Sequence, residues 1–90
     1  MIVFTAKVYG KVQGVWFRKY IKQKAIEYKL VGMVKNLDDG TVLIHVYGDS
    51  KNIIEFNDKI YIGPPGSKID KIEFSKKSIL SKYSSFEIEY

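Results

Sequence analysis

The chain has 90 residues, 46% hydrophobic and 28% charged, with fifteen Lys and Arg against ten Asp and Glu. That is apolar mass for one core, so a single domain over 1–90 is expected, and the net charge of +5 favours anionic partners without choosing among nucleic acid, membrane and a small anion. Cysteine is absent and His45 is the only histidine, which excludes a disulfide framework, a thiolate or histidine-cluster metal site and a Cys/His nucleophilic pair.

The N-terminus MIVFTAKVYG lacks the pattern of a signal peptide, and no apolar run approaches the ~20 residues of a membrane span, so the expected location is cytoplasmic. In that first stretch Ile2, Phe4, Ala6 and Val8 alternate with Val3, Thr5, Lys7 and Tyr9, the period of a strand with one buried face. After a glycine-bearing loop, Phe17, Ile21, Ala25 and Tyr28 recur at helical spacing while Lys19, Lys22 and Lys24 point elsewhere, as on a surface helix.

Val31 to Lys35 and Thr41 to Tyr47 are strand-like, and Asn36-Leu37-Asp38-Asp39-Gly40 between them reads as the turn of a hairpin. Val42, Ile44 and Val46 share one face of the second strand, which turns His45 to the other, as an ordinary surface imidazole. Asp49 or Ser50 can cap a helix burying Ile53, Phe56 and Ile60, ended by Gly63-Pro64-Pro65-Gly66. Ile72 and Phe74 mark a further strand with Ile69 out of phase, as a bulge would leave it. Lys76-Lys77 is the nearest approach to a basic cluster and too little for a polybasic tail. Phe86, Ile88 and Tyr90 then alternate with Glu87 and Glu89 in a last strand.

The order βαββαβ with an extra C-terminal strand is that of a ferredoxin-like α+β sandwich: an antiparallel sheet with two helices on one face. Right-handed crossovers are expected to make the first and fourth strands central. Such a fold hosts enzymes, RNA binders and regulatory modules alike. An RNA-recognition module would stack bases on aromatics of its central strands. Tyr9 and Tyr47 could face that way, but the basic-Gly-aromatic-Gly-aromatic motif is missing.

The segment Gly10-Lys11-Val12-Gln13-Gly14-Val15-Trp16-Phe17-Arg18 sets an arginine in the first turn of a helix, where the unpaired N–H groups already carry partial positive charge. Two readings fit. The glycines merely permit a turn and Arg18 is a solvated helix residue, or the loop amides form an anion nest over which Arg18 folds its guanidinium. The spacing matches neither the nucleotide-binding G-x-x-x-x-G-K-[ST] nor the dinucleotide G-x-G-x-x-G pattern.

Val8 to Arg18 is similar to the first acylphosphatase signature, and Gly32 to Val42, closing at Gly48, resembles the second; the likeness covers nearly the whole chain. Two departures stand out: Met33 where the family usually has an aromatic, and Lys29 where a glycine commonly ends the first helix. The resemblance implies a monomeric hydrolase that splits acyl phosphates into carboxylate and inorganic phosphate with no metal, cofactor, nucleic acid or membrane. The amides of Gly14, Val15, Trp16, Phe17 and Arg18, with the Arg18 side chain, would hold the phosphate. Asn36, by its residue type a plain turn asparagine, would aim the attacking water. The alternatives are a non-enzymatic phosphate- or RNA-binding module, or a carbamoyl-phosphate-processing domain.

Overall fold

The computed structural model describes residues 2–75 and 83–90, so Lys76-Lys77 lies outside the described residues. Along the chain run β1 (Ile2–Lys11), α1 (Phe17–Glu27), β2 (Val31–Asn36), β3 (Val42–Gly48), α2 (Ser50–Ile62), β4 (Lys68–Ser75) and β5 (Phe86–Glu89). This is the expected ferredoxin-like α+β sandwich with its extra strand.

The alternation seen in the sequence becomes the core. Phe4, Ala6 and Val8 of β1, Val34 of β2 and Val42, Ile44 and Val46 of β3 form one cluster with Phe17, Ile21 and Ala25 of α1 and Ile53, Phe56 and Ile60 of α2. Both helices therefore lie on one side of the sheet. Removing such side chains from water is the main stabilising contribution, at about 1.5–3 kcal/mol for each large one. The Tyr20 hydroxyl, donating to the Lys59 carbonyl at 2.8 Å, joins the two helices.

Strand order is β4-β1-β3-β2-β5: β1 is interior, as expected, whereas β4 lies at the edge, which corrects the expectation that it too is central. The crossover from β1 through α1 leaves a gap beside β1 that β3 fills by hairpin return from β2. The second crossover, through α2, must then land on the free side of β1, where β4 becomes an edge. Edge position also leaves Phe74 45% exposed, against the Phe4 ring at 5.6 Å. The sheet is mixed rather than wholly antiparallel, because β5 pairs in parallel with β2, Gly32 opposite Phe86.

Ile69 is out of phase for the expected reason. Register shifts between Tyr9 and Gly10, so that Tyr9 faces Lys71 and Gly10 faces Ile69. At Gly10 the φ of 130° and the close approach of β4 both demand glycine: a Cβ there would stand 2.0 Å from the Lys68 carbonyl oxygen. β1 thus delivers the chain, close against β4, into the loop that precedes α1.

Candidate active site

Residues 12–16 carry the chain from β1 to α1, with Gly14 at φ 73° and Trp16 at φ 63°. Left-handed residues at alternate positions are the ingredient from which backbone N–H nests are made. Trp16 occupies the N-cap of α1 without a side-chain cap, and the first turn holds no acidic residue. The first helical amide to find a backbone acceptor is that of Tyr20, donating to the Trp16 carbonyl at 3.0 Å. Among the described residues, the amides from Gly14 to Lys19 donate to no backbone carbonyl. The positive end of the helix dipole is left open, and Arg18 adds a full charge to it.

Arg18 is steadied from the C-terminal strand. Its guanidinium carbon lies 4.7 Å from the centre of the Tyr90 ring, and Nη1 lies 3.5 Å from the Glu89 carbonyl oxygen. A ring face attracts a cation without consuming its N–H donors, so most of the guanidinium fork stays available. Trp16 and Tyr90 are 76% and 91% exposed. Both line a cavity of about 700 Å³ whose lining also includes Gly14, Phe17, Arg18, Lys19, Lys22 and Asn36, together with Val12 and Ile88. Three cationic side chains and no acidic side chain line it among the described residues. Such a field favours an anion, and the apolar flank suits a carbon-bearing substituent on it.

Of the loop residues singled out in the sequence, Gly14, Trp16, Phe17 and Arg18 line this cavity, while Val15 packs its side chain on the core. Val15 is therefore absent from the cavity lining. Phe17 anchors the helix start, being 1% exposed.

Asn36 is the last residue of β2, paired with Val42, rather than the first of the turn. Strand pairing therefore sets its direction. Its carboxamide has no protein hydrogen-bond partner among the described residues, and its Oδ1 is buried. A buried carbonyl left without a donor costs about 1–3 kcal/mol. A half-turn about the last side-chain bond exchanges the amide's two ends, so either can meet a water in the cavity.

The turn itself is closed by Leu37 N–H to the Thr41 carbonyl at 2.9 Å and Gly40 N–H to the Leu37 carbonyl at 3.2 Å. Asp39 accepts from the Thr41 hydroxyl and amide and lies 3.0 Å from the Lys7 ammonium. Those contacts, the Thr41 hydroxyl first, pull its carboxyl down to about 2. A depressed carboxyl favours the folded state above its free value of about 4, and the contribution fades as pH falls through the folded value. Asp38-Asp39 thus belong to the turn.

Several residues here were not singled out as site residues in the sequence: Lys19, Lys22 and Tyr90 line the cavity, and Gln13 ties the loop to the turn. Half-buried Gln13 donates from Nε2 to the carbonyls of Leu37 and Thr41, both at 2.8 Å. Local pattern could not reveal partners so distant in the chain.

On the open face of the sheet the chemistry is different. His45 is half-buried rather than a plain surface imidazole, its Nδ1 2.7 Å from the Thr5 hydroxyl on the neighbouring strand. Tyr9 donates to Glu73 and lies between Lys7 and Lys71, whose ammonium groups are 5.4 and 4.6 Å from its ring. No group of three or more His, Cys, Asp or Glu that could hold a metal occurs among the described residues. Nor is any described helix long and apolar enough to cross a membrane.

Comparison with known proteins follows the same residues. The acylphosphatase family matches residues 4–88. An acylphosphatase of Listeria monocytogenes is 41% identical over 85 residues, covering 93% of this chain and 91% of the relative. The crystal structure of acylphosphatase from Bacillus subtilis superposes with a TM-score of 0.95 at 36% identity, covering all of both chains. Full-length HypF in its phosphate- and nucleotide-bound form contains a similar segment, with a TM-score of 0.90 and 33% identity over 99% of this chain and 12% of that one. With an amide-lined loop, an arginine at the helix start and both signature segments inside the matched range, the chain belongs to the acylphosphatase family.

Proposed function

We propose that this acylphosphatase grips the phosphoryl group of its substrate with the amides of Gly14 to Arg18 and the Arg18 guanidinium, while Asn36 aims the attacking water. The observation that carries this reading is the coincidence of unpaired amides, three cations and an unpartnered carboxamide around one cavity. The reaction converts R–CO–O–PO₃²⁻ and water into R–COO⁻ and inorganic phosphate. An oxygen–phosphorus bond forms on the side opposite the breaking one, and one proton of the water passes to a phosphoryl oxygen, so that the product phosphate leaves as H₂PO₄⁻.

The substrate's chemistry explains why so few groups suffice. A carboxylic acid has a pKa of about 4, so the carboxylate departs without a proton donor, and no catalytic histidine is needed. What remains is to neutralise the phosphoryl oxygens and hold water in line. Arg18 and the amides supply charge and donors without reorganising. An amide is no base near neutral pH, so Asn36 orients the water and a phosphoryl oxygen takes its proton.

The test is a hydrolysis assay on benzoyl phosphate and carbamoyl phosphate with inorganic phosphate as inhibitor. Turnover of both, with phosphate competing against either substrate, is expected. Inhibition that leaves the apparent KM unchanged would show that phosphate and substrate do not share this cavity. Protein retained with RNA in a filter-binding titration, without hydrolysis, would favour the binding-module reading.

A further inference from the structure

We infer that Gln13 is a positioning residue that sets Asn36 against the phosphate loop. This rests on the water-aiming role proposed for Asn36 and adds the part that holds it in place. Direct backbone pairing between β1 and β3 stops at Val8 and Val42. Beyond that point no backbone hydrogen bond connects residues 12–16 with residues 36–41 among the described residues. The carboxamide of Gln13, next to Gly14, supplies the hydrogen-bonded tie.

Its two acceptors bracket the residue that matters. The Leu37 carbonyl follows Asn36 directly, and the Thr41 carbonyl precedes Val42, the strand partner of Asn36. Each carbonyl already accepts one backbone N–H, from Gly40 and Leu37 respectively. Gln13 fills the second acceptor site of both. A single nitrogen with two N–H bonds is what this geometry calls for: glutamate offers no donor when ionised, methionine offers none, and asparagine is one methylene short. Loss of the tie would let the strand end and the loop drift apart. A misplacement of the order of 1 Å at a reacting centre costs as much as ~10²-fold in rate.

A double-mutant cycle tests this, using Gln13→Met, Asn36→Ala and the double variant, with kcat on benzoyl phosphate, the inhibition constant of inorganic phosphate and Tm measured for each. Expected are kcat falls of ~10-fold for Gln13→Met and ~10²-fold for Asn36→Ala, a phosphate constant within about threefold of wild type, and a double variant no slower than Asn36→Ala alone. A purely structural role would instead lower Tm and leave kcat intact at temperatures well below it, which overturns the inference. So would losses that multiply in the double variant, or a phosphate constant that weakens in step with kcat, since Gln13 would then act on the phosphate loop. Wild-type kcat in Asn36→Ala would dismiss Asn36 and this inference together, whereas a slow Asn36→Ala with multiplying losses dismisses the inference alone. Should Gln13→Met not fold, the cycle runs with Gln13→Asn, which keeps the amide but falls short of both carbonyls.

Discussion

The two helices start in opposite ways. At α2 the N-cap is Asp49 in extended conformation, its carboxylate accepting the Lys51 N–H at 3.1 Å. A capping anion is built into the chain, a feature that contributes about 1 kcal/mol. At α1 the cap is Trp16, left-handed and without a side-chain hydrogen bond, and Arg18 follows where an acidic residue would be favourable. A left-handed non-glycine residue costs about 1–2 kcal/mol. One end is closed by its own side chain; the other is left strained and positively charged, the pattern expected of the anion site proposed above.

The largest effect should come from removing the charge at the open end. Arg18→Ala is expected to lower kcat/KM by ~10³-fold or more, about 4 kcal/mol of transition-state stabilisation. Arg18→Lys should recover little, because a point charge cannot reproduce the guanidinium fork. Initial rates on benzoyl phosphate decide the matter, and near-wild-type turnover in folded Arg18→Ala would reduce the contrast between the helices to an accident of capping.

The next effect is stabilisation by a bound anion. Inorganic phosphate at ~100 times its dissociation constant should add about 2.7 kcal/mol to folding stability. For a domain of this size that raises Tm by about 10–20 °C. Arg18→Ala should lose most of the rise, while Asp49→Ala should keep it. An equal rise in Arg18→Ala would place the phosphate elsewhere. Asp49→Ala itself should cost about 1 kcal/mol, or about 4–8 °C, with kcat and KM unchanged. A fall in activity of that variant at low temperature would mean that the two ends are coupled.

How much of this was legible beforehand follows from the range of the interactions. Periodicity exposed the core faces of β1, α1, β3 and α2, because a buried face leaves a local repeat. The signature segments around Arg18 and Asn36 are contiguous, so resemblance found them. Strand neighbours are not local: the edge position of β4 and the parallel pairing of β5 depend on how crossovers land. Asn36 looked like turn chemistry because asparagine favours turns, and only pairing with Val42 shows it ending a strand. Gln13 and Tyr90 act across 24 or more residues, on a backbone carbonyl and on a guanidinium, and no spacing rule reaches that far.

The smallest effect separates strain kept for function from strain that is incidental. α1 carries a second left-handed non-glycine residue at its other end, Lys29 at φ 58°. There the last turn is closed by backbone bonds: Lys29 N–H meets the Ile26 carbonyl at 3.1 Å and Leu30 N–H meets the Ala25 carbonyl at 2.8 Å. This is the reciprocal helix ending that glycine usually completes. Lys29→Gly should therefore gain about 0.5–1 kcal/mol and a few degrees in Tm, with kinetics untouched. Trp16→Gly relieves a similar strain and should gain similarly, but it also strips an aromatic wall from the cavity, so KM for benzoyl phosphate should rise several-fold. The paired melting curves and KM values make the distinction. If Trp16→Gly gained stability and kept its KM, the strain at the start of α1 would be as incidental as that at its end, and the proposed phosphate grip would rest on Arg18 and the amides without the indole.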